Sequence, residues 1–126
     1  SGITMPLINF GRLQSQIDAA DERSRQAALA YENVTLTALQ EAKTALSDYL
    51  GEKAATAQQE ASLKHRRLAV KLARERYTRG LTDMSELTTA QAELDQATLT
   101  LIERKSQAAI AYIRLHKALG VVLQPM

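Results

Sequence analysis

The sequence predicts an all-α fold: a long antiparallel α-helical hairpin of coiled-coil type. Three observations carry that expectation. Of 126 residues, 21 are Ala and only 4% are aromatic, with one Phe and no Trp, so too few large side chains are present for a thick globular core. Apolar and small residues recur in steps of three and four, which gathers them on one face of a helix. One short segment, Arg79 to Asp83, interrupts the pattern with a helix stop followed at once by a helix start.

Residues 1–10 mix β-formers with Pro6, which cannot donate to a sheet ladder, and are expected to form an extended lead-in or strand remnant. From Gly11 the seam runs through Leu13, Ile17, Ala20, Ser24, Ala27, Tyr31, Val34 and Ala38, the alternation a coiled coil requires. The register slips by one residue at Ala42, Ala45 and Tyr49. Gly51 then falls inside the helix at a cost of about 1 kcal/mol relative to Ala, which makes it the candidate point for a bend or break. The pattern resumes through Ala61, Leu68 and Leu72 to Tyr77, so the first arm is placed at about 11–78.

The tip is expected at 79–83. Gly80 can take the left-handed conformation that closes a helix at least steric cost, and Arg74, Arg76 and Arg79 sit where the helix dipole favours positive charge. Asp83 is a good N-cap, and Glu86 three residues later makes an Asp-x-x-Glu variant of the capping box ahead of Leu87.

The second arm, about 84–119, carries a seam through Met84, Leu87, Leu94, Leu101, Ala108, Tyr112, Leu115 and Leu119. A second stripe of Ala90, Ala97, Ala111 and Ala118 lies one step round the helix. Two stripes suit a helix touching neighbours on two sides, as in a bundle or a barrel of helices. At 1.5 Å per residue the arms span roughly 100 Å and 54 Å, and they cannot match. With the turn centred on Leu81, Leu119 falls opposite about Thr44, so Leu13, Ile17, Tyr31, Val34 and Leu36 need cover from elsewhere.

Charge favours the antiparallel pairing. Lys64 to Arg79 contains seven Lys or Arg and one acid, Glu75, whereas Asp83 to Glu103 contains five acids and no base. Folding about Leu81 is expected to bring Arg67 and Lys71 near Glu93 and Asp95, and Arg76 near Glu86.

Several function classes are excluded. A net charge of +2, without aromatic residues interleaved among basic ones, gives no nucleic-acid footprint. With no Cys and with His65 and His116 far apart, neither a disulfide framework nor a metal motif is spelled out, and no metal or cofactor is expected. No nucleophile elbow, phosphate loop or paired-carboxylate constellation appears, so no catalytic residues are expected and the chain is not read as an enzyme. No stretch reaches the roughly 18 apolar residues of a membrane-spanning helix.

Three blocks of residues, in order, resemble the second repeat of the TolC-type outer-membrane efflux channel family. Pro6-Leu7-Ile8-Asn9-Phe10-Gly11-Arg12-Leu13 resembles the handover from the last barrel strand to a long periplasmic helix. Arg76-Tyr77, Gly80-Leu81-Thr82-Asp83 and Leu87 followed by Ala90-Gln91 resemble the periplasmic tip. Leu115-His116-Lys117-Ala118-Leu119-Gly120 resembles the terminal Leu-Tyr-Lys-Ala-Leu-Gly, with His116 in place of Tyr.

The resemblance implies a fragment of a homotrimeric channel in the outer membrane of a Gram-negative bacterium. This segment would lie in the periplasm, and membrane contact would come only through parts outside the sequence. It implies a periplasmic adaptor (membrane fusion) protein and an inner-membrane pump as partners, in drug or metal efflux or type I secretion. Arg79, Gly80, Leu81 and Thr82 would meet the adaptor, and Asp83 and Glu86 are the nearby candidates for an acidic entrance gate. Thr88 and Thr89 stand where some relatives have an acid. The competing class is a structural or scaffolding coiled coil with no transport role. A lipid-binding amphipathic helix protein would want bulkier apolar faces.

Overall fold

The computed structural model describes the backbone of residues 4–124 and the side chains of residues 9–124. Two helices account for it: α1, Thr4–Thr78, and α2, Met84–Leu123. The chain divides into two compact units, Ser1–Gln40 and Glu41–Met126.

In the first unit the described side chains are exposed from Asn9 to Thr37, including Leu13, Ile17, Tyr31, Val34 and Leu36. Local pairs decorate this helix, such as Arg25–Glu22 at 2.7 Å. The backbone is already helical at Thr4 rather than extended, which corrects the lead-in expected over 1–10; residues 1–3 lie outside the described residues. Pro6 falls in the first helical turn, where the amide it lacks would have no partner within the helix. A strand also needs a neighbouring strand, and none is present among the described residues.

The second unit is the hairpin. Ala-rich helices can pack closely, and the buried residues are Ala42, Leu63, Val70 and Ala73 on α1 against Ala97, Leu101, Ala111 and Leu115 on α2. Leu63, Ala97 and Leu101 form the central cluster, with Leu94 packed beside them.

On α1 the packed face begins at Ala42 and advances in unbroken steps of three and four: Ala45, Tyr49, Glu52, Thr56, Gln59, Leu63, Arg66, Val70, Ala73. The run expected through Ala61, Leu68 and Leu72 instead faces solvent, with Leu68 52% and Leu72 50% exposed. That expectation failed because the true seam passes through polar residues that a search for apolar periodicity skips. These polar residues are used. Gln59 Nε2 donates to the Ala97 carbonyl at 3.2 Å, and Thr56 Oγ1, bonded to its own helix at the Glu52 carbonyl, also reaches the Arg104 carbonyl at 3.4 Å. Glu52 Oε2 is buried without a hydrogen-bond partner.

On α2 the two stripes read from the sequence are two halves of one seam. Leu87, Ala90, Leu94, Ala97, Leu101, Ala108, Ala111, Leu115 and Ala118 alternate along the face turned to α1, and all are buried or half-buried. Met84, Tyr112 and Leu119 are more exposed than these. The helix also runs past Leu119 to Leu123 and ends at Gln124, which is extended at φ −81°, ψ 119°, as suits a residue preceding proline.

Cross-arm contacts give the register level by level: Arg76 beside Glu86, Arg66 beside Glu93, Gln59 beside Ala97, Tyr49 against Tyr112 with ring centroids 5.6 Å apart. Glu93 pairs with Arg66 at 2.7 Å rather than with Arg67 or Lys71, and Asp95 accepts from Gln91 of its own helix. One residue along a helix is about 100° around it, so Arg67 lies on the flank of the seam. Exposed pairs of this kind contribute about 0.2–1 kcal/mol and act mainly on register.

Gly51 does not break α1. A Cβ at Gly51 would meet nothing within 4 Å. Gly51→Ala is therefore expected to stabilise the protein by about 0.5–1 kcal/mol in urea or thermal unfolding, and a loss of stability would mean the helix does depend on glycine there.

Candidate functional site

The tip is built from the local chemistry of five residues. Helix α1 ends in a Schellman motif: the Leu81 amide donates to the Arg76 carbonyl and the Gly80 amide to the Tyr77 carbonyl, both at 2.9 Å, with Gly80 at φ +74°. Gly80 is the only positive-φ residue among those described. Thr78 Oγ1 donates back to the Arg74 carbonyl at 2.8 Å.

Helix α2 then starts on Asp83. Its backbone is extended at φ −89°, ψ 174°, and its carboxylate accepts from the Ser85 amide at 3.2 Å and the Ser85 hydroxyl at 2.9 Å. The Ser85 hydroxyl first, and then the amides of the first turn, hold the Asp83 carboxyl below its ordinary value. Glu86 does not close a capping box back onto Asp83. Its carboxylate turns across the hairpin to Arg76 at 3.7 Å, where an opposite charge competes with the neutral amide it was expected to reach.

Leu81 is the anomaly. In a Schellman motif the residue after the glycine commonly packs on an apolar residue one turn back. Here that position is Arg76, and Leu81 stands 66% exposed at the end of the hairpin. Beside it Arg79 is exposed and Thr82 half-buried, its hydroxyl donating to the Asp83 carbonyl at 3.0 Å.

Two grooves flank the hairpin below the tip, and their charge differs. On one side Leu72, Arg76, Glu86, Thr89 and Glu93 line a groove in which the cross-arm ion pairs neutralise each other. On the other, Arg67, Lys71, Arg74 and Arg79 share a groove with a single acid, Glu75. Among the described residues Arg66–Glu93 and Arg76–Glu86 are the only cross-arm ion pairs. The expected pair Arg76–Glu86 is made, whereas Arg67 and Lys71 form no ion pair with Glu93 or Asp95. Which arginines take the acids depends on rotation about the helix axis, and the count of charges carries no signal for it.

The sequence profile of the outer membrane efflux protein family matches residues 1–121. The chain belongs to that family. It is 33% identical over 122 residues to outer membrane protein OprJ of Pseudomonas aeruginosa, an alignment covering 94% of this chain and 25% of OprJ. The chain thus spans a quarter of that relative's length, and no solved structure matches it. As part of an outer-membrane efflux protein it has, among the described residues, no helix long and apolar enough to cross a membrane.

Of the residues singled out for function, Arg79, Gly80, Leu81 and Thr82 are brought together at the end of the hairpin. Asp83 and Glu86 adjoin them but are engaged locally, one as a helix cap and one with Arg76. Thr88 donates to the Met84 carbonyl at 2.9 Å and is likewise part of the helix start.

Two variants test the tip. Gly80→Val is expected to destabilise by at least about 1–2 kcal/mol, because a branched side chain must adopt positive φ. Because the Asp83 pKa is lowered on folding, its contribution is present above the ordinary value of 3.8 and is lost as pH falls below it. The stability gap between wild type and Asp83→Asn, followed by urea unfolding against pH, should be level near neutrality and close in acid; a gap that widens in acid would contradict the cap.

Proposed function

We propose that this chain forms part of the periplasmic conduit of an outer-membrane efflux channel, passing small molecules without chemistry, and that its hairpin tip docks a periplasmic adaptor protein. The parent would be a homotrimer working with an inner-membrane pump. The observation that supports the docking role is Leu81, a large apolar side chain held outward on a backbone fixed on both sides by hydrogen bonds. A rigid turn that presents an unpacked leucine costs little to bind, since its backbone need not be ordered anew and only the rotamers of one short side chain are fixed. Arg79 and Thr82 flank it with a charge and a hydroxyl, which suits a small apolar contact ringed by polar ones.

Asp83 and Glu86 already serve the hairpin, so an entrance gate built from them would have to open without disturbing the cap or the Arg76 pair. In the full-length parent, Leu81→Asp is expected to leave folding and trimer assembly intact while abolishing efflux and adaptor capture. Drug susceptibility of cells and pull-down of the adaptor by the purified channel measure this. Normal pumping with normal capture would remove the docking role and leave the tip a turn.

A further inference from the structure

The acids of α2 nearest the tip are all engaged. Asp83 caps its own helix, Glu86 faces Arg76, Glu93 holds Arg66 at 2.7 Å, and Asp95 accepts from Gln91. Glu103 is the next acid along α2. The contact of Thr56 with the Arg104 carbonyl sets Glu103 opposite about residue 57, roughly 15 Å along the helix from Arg67. Arg67, Lys71, Arg74 and Arg79 therefore receive no carboxylate from the other arm.

Within α1 the same flank works against itself. Arg67, Lys71 and Arg74 follow one another in steps of four and three, so like charges stand on successive turns, a spacing that destabilises a helix about as much as an opposite pair supports it. Glu75 lies four residues from both Lys71 and Arg79 and closes an ion pair with neither among the described residues. The four cations line one groove of about 430 Å³, with buried Val70 at its floor.

That volume is the size of a small-molecule site. Its charged side chains, Glu75 apart, offer donors only: guanidinium forks that meet an oxyanion at two points, and an ammonium that meets it as a point charge. Arg67 and Arg74 stand about 10 Å apart along the helix with Lys71 between them, so a single oxyanion cannot reach both ends and a linked series can. Phosphate supplies more charge per group than carboxylate, and three strong acceptor oxygens. We infer that this flank of α1 is a binding site for small soluble molecules that carry two or more linked phosphate groups.

Titration of tripolyphosphate into the chain at fixed ionic strength, followed by calorimetry, tests this. Saturable one-to-one binding is expected, with orthophosphate at least about tenfold weaker because it engages one end only. Arg67→Gln combined with Arg74→Gln should weaken tripolyphosphate by roughly tenfold or more. The control removes as many charges from the arginines that already have partners: Arg66→Gln combined with Arg76→Gln should leave the affinity within about twofold, the residue of a screened net-charge effect. All four positions are exposed, and circular dichroism checks that helix content is unchanged. Tripolyphosphate should also raise the melting temperature of the wild-type chain and not that of the Arg67 and Arg74 variant. Absence of saturable binding would overturn the inference. So would an equal loss from the two pairs, which would reduce the effect to attraction by net charge, and so would orthophosphate binding as tightly as tripolyphosphate. Arg79 belongs to the tip as well and is left in place in every variant. Leu81→Asp should leave tripolyphosphate binding unchanged, so this site and the adaptor reading fail separately.

Discussion

Close approach of two helices along an alanine–leucine seam is the constraint on which the hairpin unit depends. Small side chains at alternate seam positions bring the backbones near enough for Gln59 and Thr56 to reach carbonyls of the opposite helix. The seam is thin: the buried positions are alanines, three leucines and a valine. Each contributes modestly, so length takes the place of thickness, and stability grows with the number of levels in register. A slip by one level would set leucine against leucine and separate Arg66 from Glu93, so register is worth more than any single contact.

The tip follows from that constraint. Two helices this close need a connection that reverses within a few residues, and the Schellman motif followed by the Asp83 cap engages the Arg76 and Tyr77 carbonyls at the end of α1 and the Ser85 amide at the start of α2. Once those groups are satisfied locally, nothing remains for Leu81 to do inside the hairpin. Gly80, Asp83 and Glu86 hold the turn and its register, while Leu81 and Arg79 face outward.

Local chemistry was legible from the residues, and rotation about the helix was not. Gly80 and Asp83 announce a stop and a start through conformational preferences that act within one turn, and both take the geometry expected of them. The all-α hairpin and the efflux family were likewise readable, the first from periodicity and the second from three ordered blocks of residues. The α1 seam escapes apolar periodicity because Glu52, Thr56 and Gln59 occupy half-buried positions that hydrophobicity does not mark. The same rotation of about 100° per residue explains why Arg66, and not Arg67, takes Glu93, and why one flank is left basic. Gly51 was weighed by its intrinsic helix cost alone, which about 1 kcal/mol of neighbouring packing can override.

Helices α1 and α2 pair in one register set by the tip. Spin labels on cysteines introduced at Glu60 and Thr98, which lie at one level on the same flank, measure it directly when the labelled chain is diluted in unlabelled chain. A single narrow distance is expected for that pair, and for Glu60 with Lys105 a longer one, displaced by seven residues or about 10 Å along the helix. A broad or two-peaked distribution, or a shorter distance for Glu60 with Lys105 than for Glu60 with Thr98, would contradict it.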